Sequence, residues 1–210
     1  MKTTIKRLSI LFLLIVVSYG IFGFLIQDEA PSVSKSLKDS NTSIALADIE
    51  KEYDEPCSFK SVVILTATSI DSAESFVGQT IKIEGNLNYN EIQIGIQDQK
   101  KLTAKLLNNQ TLIRETTQTL LSAIPLNTPL NFSVAYIAEK GSQNKSNENT
   151  LQIRLYEGSG FFGDIGTLNV DLKDYAPLNA DIQITALNDA VHSPFQFSEL
   201  KVWKDYESFD

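Results

Sequence analysis

Asn90–Asp98 reads NEIQIGIQD. Ile92, Ile94 and Ile96 take every second position, and Glu91, Gln93, Gly95 and Gln97 fill the positions between them. Successive side chains of a strand point to opposite sides of its sheet, so this stretch predicts a strand with one apolar and one polar face. The same two-residue period continues on both sides. Upstream lie Ser61–Thr68 (SVVILTAT) and Gln79–Leu87, where Ile81 and Ile83 alternate with Lys82 and Glu84. Downstream come Lys101–Leu107, Thr111–Thr119, Leu130–Ala138, Leu151–Glu157, Thr167–Leu172, Asp181–Leu187 and Phe195–Trp203. These make about ten strands in roughly 150 residues.

The breaks between the runs carry turn chemistry. Asn88-Tyr89-Asn90 and Asn108-Asn109 suit tight turns, and Gly141–Asn149 reads as a polar loop. Pro125, Pro129, Pro177 and Pro194 fall between runs, where a missing N–H costs no ladder bond. No helical period of three turns follows Tyr53, and no internal repeat is present. Ten alternating strands around one core predict two packed antiparallel sheets, a jelly-roll-like sandwich over residues 58–207. A domain of that size buries about 70% of its unfolded surface and needs no covalent staple.

The strand cadence of EIQIGIQD (91–98), LQIRLYEG (151–158) and FQFSELKVW (195–203) resembles that of the concanavalin A-like lectin/glucanase sandwiches. The glucanases of that superfamily carry E-x-D-x-x-E or E-x-D-x-E on one strand. Glu91 matches the first position, but Gln93 stands where the aspartate belongs and Gly95-Ile96 where the second glutamate belongs. A retaining glycosidase needs two carboxyl groups about 5 Å apart. The resemblance therefore implies a binding domain rather than an enzyme.

Ahead of the strands, residues 8–26 read LSILFLLIVVSYGIFGFLI, 19 residues without a charge. As a helix this run spans about 28 Å, close to the hydrocarbon thickness of a bilayer. A cleaved signal peptide is the competing reading. Cutting after Gly20 would leave the greasy end IFGFLI, and Ala45-Leu46-Ala47 lies too far downstream, so a signal-anchor is the reading adopted. Lys2, Lys6 and Arg7 precede the run and Asp28 and Glu29 follow it. The positive-inside bias then predicts residues 1–7 in the cytoplasm and the bulk of the chain outside, periplasmic or extracellular. Residues 27–57 read as a polar, acidic linker. Ile44, Ala47, Ile49 and Tyr53 are spaced there for a short helix.

With three of the 18 basic residues ahead of the apolar run, the remainder carries 15 basic against all 26 acidic residues, a net of −11. Such a domain is repelled by phosphate backbones, which excludes nucleic acid as a partner. The single cysteine, Cys57, allows no internal disulfide and no thiolate zinc site. The single histidine, His192, lies in a predicted loop beside Ser193-Pro194, without the strand–turn–helix context of a serine hydrolase. Asp171 and Asp174 lack EF-hand spacing. No metal or cofactor is implied. GSGFFG (158–163) has no Lys-Ser/Thr after it and reads as a hairpin loop rather than a phosphate cradle. Its phenylalanines either fold into the core or form an exposed aromatic tip. Sequons occur at Asn41, Asn109, Asn131 and Asn144.

Together these readings predict a membrane-anchored module of the cell envelope that binds without catalysis, its partner a glycan or an envelope protein. A glycan-active enzyme and a structural envelope subunit are the alternatives. The candidate binding residues are the outward-pointing Glu91, Gln93, Gln97, Arg154 and Tyr156, whose amides, charges and ring suit sugar hydroxyls. Oligomeric state is left open.

Overall fold

The computed structural model describes residues 30–37, 43–45, 58–69, 75–83, 88–137, 149–158, 163–172, 174, 182–188 and 194–204. Their regular structure is entirely β. The strands are β1 (Val33–Ser36), β2 (Ser43–Ala45), β3 (Phe59–Ala67), β4 (Phe76–Ile83), β5 (Glu91–Gln97), β6 (Lys101–Asn108), β7 (Thr111–Thr119), β8 (Pro129–Ile137), β9 (Thr150–Glu157), β10 (Asp164–Asp171), β11 (Ile182–Asn188) and β12 (Phe195–Lys204). They form two six-stranded sheets. Sheet A has the order β1-β12-β3-β8-β9-β10 and sheet B the order β2-β11-β4-β5-β6-β7. All strand pairs are antiparallel.

All ten predicted strands are present, with ends shifted by up to four residues. The inward sets are as the two-residue period predicts. Ile81, Ile92, Ile94, Ile96, Ile153 and Leu155 are fully buried, and Ile83 nearly so. The isoleucines of β4 and β5 face Phe59, Val63, Leu65, Phe132, Val134, Tyr136, Ile153 and Leu155 of sheet A, in one continuous cluster. Each such side chain contributes about 1.5–3 kcal/mol on burial. Lys82 is exposed, while Glu84 lies outside the described residues.

The turns follow their residue chemistry. Asn109 and Gln110 both have positive φ (50° and 69°), so β6 and β7 are joined by a type I′ hairpin whose twist matches the strands. The Asn90 side chain fixes this tip: its Nδ2 donates to Asn109 Oδ1 and its Oδ1 accepts from the Asn109 amide, both at 3.0 Å.

Two inward positions, Gln79 and Ser61, are polar. Gln79 of β4 is fully buried and reaches across the sandwich. Its Oε1 accepts from Ser61 Oγ at 2.6 Å and its Nε2 donates to the Phe132 carbonyl at 3.0 Å. Ser61 and Phe132 belong to sheet A, so this amide joins the two layers through the middle of the core. On one flank β7 and β10 come together, where Arg114 Nη1 donates to the Asp171 carbonyl at 3.0 Å. At Gly166 an added Cβ would lie 2.7 Å from Leu120 Cδ2, so a side chain there would have to push the Leu120 methyl aside.

The stretch read from sequence as a linker contributes two strands. β1 runs along β12 at the edge of sheet A, and β2 along β11 at the edge of sheet B. Ile44, assigned to a helical face above, lies in β2 and is buried. Leu37 and Ile44 are the side chains by which this strap enters the core. Ser34 Oγ donates to the Glu199 carboxylate, which also faces Lys201 Nζ at 3.2 Å. The serine hydroxyl above all holds Glu199 below the ordinary carboxylate range, against the opposing effect of burial and with a lesser contribution from the lysine. Among the described residues no helix is long and apolar enough to cross a membrane. The apolar run 8–26, the remaining helix-spaced residues 47–53, Cys57, Phe161, Phe162 and His192 lie outside the described residues.

Candidate binding site

The five candidate residues all point outward, but they do not share a face. Glu91, Gln93 and Gln97 lie on β5 in sheet B, whereas Arg154 and Tyr156 lie on β9 in sheet A. The core separates the two groups. A single site formed by all five is therefore corrected to two candidate faces on opposite sides of the sandwich.

On sheet B, registers across β4, β5 and β6 set the outward rows Lys82–Glu91–Leu107, Thr80–Gln93–Lys105, Gly78–Gly95–Thr103 and Phe76–Gln97–Lys101. The amides are already engaged. Gln93 Nε2 donates to Glu91 Oε1 at 2.7 Å, and Gln97 Oε1 accepts from Thr103 Oγ1 at 3.0 Å. The low ground made by the paired Gly78 and Gly95 is filled. A Cβ on Gly95 would sit 3.0 Å from Phe76 Cε1, so the phenyl ring lies across it. Lys105 Nζ in turn sits 4.6 Å from the centre of that ring. The cross-strand neighbours of Glu91 are Lys82 and Leu107, so this strand presents one carboxylate where glycoside cleavage uses two.

Sheet A is built differently. Its outward rows are Trp203–Lys60–Ala135–Gln152–Asn169, Lys201–Val62–Ser133–Arg154–Thr167 and Glu199–Ile64–Asn131–Tyr156–Asp164. The short side chains Ser133 and Ala135 of β8 lie between the long ones of β9 on one side and those of β3 and β12 on the other. Ser133, Ala135 and Val62 are almost fully buried although they point away from the core. Arg154 Nη2 pairs with Asp164 Oδ1 at 2.8 Å, and its guanidinium carbon lies 5.3 Å from the Tyr156 ring centre. Lys60 Nζ lies 5.7 Å from the ring centre of Trp203, the only tryptophan in the chain. A bulge between Asp164 and Gly166 sets Asp164 opposite Tyr156, within reach of Arg154.

Sequence reasoning missed Trp203, Lys60 and Asn131 as members of this face. The signal for Trp203 was available: Val202 precedes it at an inward position, so the period alone turns Trp203 outward. Asn131, read as a sequon, is a half-buried mid-strand residue whose Nδ2 donates to the Gly158 carbonyl at 2.9 Å. Among the described residues no cluster of three or more His, Cys, Asp or Glu is placed to hold a metal ion.

The fold is an all-β, two-sheet antiparallel sandwich, and the solved structures it resembles include lectin-type sandwiches and an alginate lyase. Among them is galectin LEC-6 of Caenorhabditis elegans, 10% identical, covering 80% of this chain and 94% of that one with a TM-score of 0.46. The CBM40 of the Ruminococcus gnavus IT-sialidase bound to α2,3 sialyllactose is 15% identical, with coverage of 85% and 95% and a TM-score of 0.45. Sheep galectin-11 in complex with glycerol is 10% identical, with coverage of 82% and 97% and a TM-score of 0.43. No protein-family model matches the chain, and no curated protein matches it in sequence.

Proposed function

We propose that this chain is a non-catalytic glycan-binding module, tethered by residues 8–26 and presenting its β domain outside the cytoplasm. One observation carries the binding reading: the outer face of sheet A, where Trp203 and Tyr156 flank the short Ser133 and Ala135 among Asn131, Gln152 and Arg154. A sugar offers C–H faces and hydroxyls together. Aromatic rings meet the first, while amides and guanidinium groups meet the second. Sheet B serves this less well, because Phe76 already occupies its low ground.

The test is glycan-array binding by the full chain in a non-glycosidic detergent. The intact protein is expected to bind, and Trp203→Ala and Arg154→Ala each to weaken binding at least about tenfold, equivalent to about 1.4 kcal/mol. Gln93→Ala on the other face should leave binding unchanged. Equal loss from Gln93→Ala would move the site to sheet B, and an array without signal from the intact protein would remove the reading.

The tether rests on the uncharged run and the basic residues before it. A reporter fused after Asp210, active only outside the cytoplasm, is expected to be active and to stay with the membrane fraction. Cytoplasmic activity would overturn the orientation, and release of a soluble, shortened chain would establish a cleaved signal instead.

A further inference from the structure

We infer that β7 is the interface through which two copies of this chain join, edge to edge, into a two-fold dimer whose sheet B runs unbroken through both. β7 is the outermost strand of sheet B. It has nine residues, seven of them exposed and the other two half-buried. The edges on the opposite flank are closed by the short strands β1 and β2, of four and three residues. β10, at the edge of sheet A beside β7, has half of its eight residues buried. A long exposed edge offers a row of backbone N–H and C=O groups to another strand, and proteins normally shorten, cover or charge such edges. β7 carries only Arg114 and Glu115, one charge of each sign.

The exposed apolar side chains gather at the same edge. Among the described residues the large ones are Leu112 (50%), Ile113 (44%), Leu121 (75%) and Leu126 (39%). Leu112 and Ile113 stand at the start of β7, and Leu121 lies just past its end. A two-fold axis through the middle of β7, perpendicular to the sheet, sets the start of one copy's strand against the end of the other's. Centred on Thr116, it places Leu112 opposite Leu120. Centred on Thr117, it places Ile113 opposite Leu121. In these two registers Arg114 meets Gln118 or Leu120, and Glu115 meets Thr117 or Thr119. An axis on Arg114 or on Glu115 would instead set like charges directly opposite, which is destabilising. The charges thus exclude the registers that leave the leucines unmatched and permit those that match them. The bulge at Ile113 lies outside the regular stretch 114–119 at the centre of both. Each copy has one β7, so the pairing closes at two. A perpendicular axis also keeps both copies the same way up. On the reading of sheet A as the glycan face, both faces then look in one direction and can engage one array of glycans together. The dimer itself does not rest on that reading.

The experiment is sedimentation velocity on the full chain in detergent, over a range of protein concentrations. A single self-pairing strand gives an interface at the small end of the specific class, so a Kd of about 1–100 μM is expected. Thr117→Lys sets two added charges close to the axis, and Leu121→Asp changes an exposed side chain beyond the strand. Each is expected to weaken dimerisation at least about tenfold. In a Cys57→Ser background, Thr116→Cys or Thr117→Cys is expected to give an oxidised dimer. A residue on the axis has its own copy's Cα about 4.5–5.5 Å away, within disulfide reach. Gln196→Cys, exposed on β12, is the control expected to give none. A monomer at all concentrations would overturn the inference. So would a dimer that both substitutions leave intact, since it is then held elsewhere in the chain. Should Thr117→Lys melt well below the parent, Leu121→Asp alone decides. Either result leaves the glycan reading of sheet A standing.

Discussion

Ile94→Asp is expected to leave the domain unfolded. Ile94 is fully buried at the centre of β5, between Gln79 of β4 and Ala104 of β6. A carboxylate there is taken out of water with no buried cation among the described residues to meet it. Its polar cross-strand neighbour, Gln79, already spends its amide on Ser61 and Phe132. Introducing an unpaired charge costs several kcal/mol even after the group neutralises itself by taking up a proton. The lost apolar packing adds about 2–4 kcal/mol. Together these approach the whole stability of an ordinary domain, about 5–15 kcal/mol. The measurement is the β-type circular-dichroism signal and its urea transition, with Gln93→Ala as the outward control expected to move stability by less than about 0.5 kcal/mol. A folded Ile94→Asp protein would mean that β5 faces the other way, and every outward assignment on sheet B would go with it.

The second large effect is expected at Gln79. Replacing it with Leu keeps a side chain of similar size but removes the donor of the Phe132 carbonyl and the acceptor of the Ser61 hydroxyl. Ser61 retains only the long contact to the Val134 carbonyl at 3.4 Å, and the Phe132 oxygen, inside the paired strand β8, loses its side-chain donor. Leaving buried groups unsatisfied costs about 1–3 kcal/mol each, so Gln79→Leu should lower stability by about 2–4 kcal/mol. Ser61→Ala in the Gln79→Leu background should cost less than Ser61→Ala alone, because the hydroxyl it removes has already lost its partner. Urea midpoints of the four proteins give the coupling energy, expected at about 1 kcal/mol. Strict additivity would show that the two side chains do not interact.

These two variants also mark what could be read before the structure. The facing of Ile94 follows from the sequence alone, since the period that places Ile92 and Ile96 inward places it too. The same period places Gln79 inward, two residues from Ile81, yet nothing local says that a glutamine there will find partners in another sheet. The separation of the candidate residues has the same origin. Alternation assigns Gln93 and Arg154 to an outside, but which outside depends on sheet membership. Membership is fixed by pairings between distant strands: β5 pairs with β4 and β6, whereas β9 pairs with β8 and β10. β1 and β2 escaped for a different reason. VSKS and SIA are too short for a period to show, and their pairing comes from the open edges of β12 and β11 rather than from their own composition.

The strap also decides where the domain begins and ends in space. β1, the first strand, lies beside β12, the last, with Val33 opposite Val202. Just outside them the Lys204 amide donates to Ser32 Oγ at 3.1 Å. The chain thus enters and leaves the sandwich at one corner. A module with neighbouring termini can be excised, inserted into another protein's loop, or recut as a circular permutant without stretching any strand. A few residues joining Lys204 to Ser32 would close the ring, and the exposed Asn109-Gln110 tip offers the place to open it.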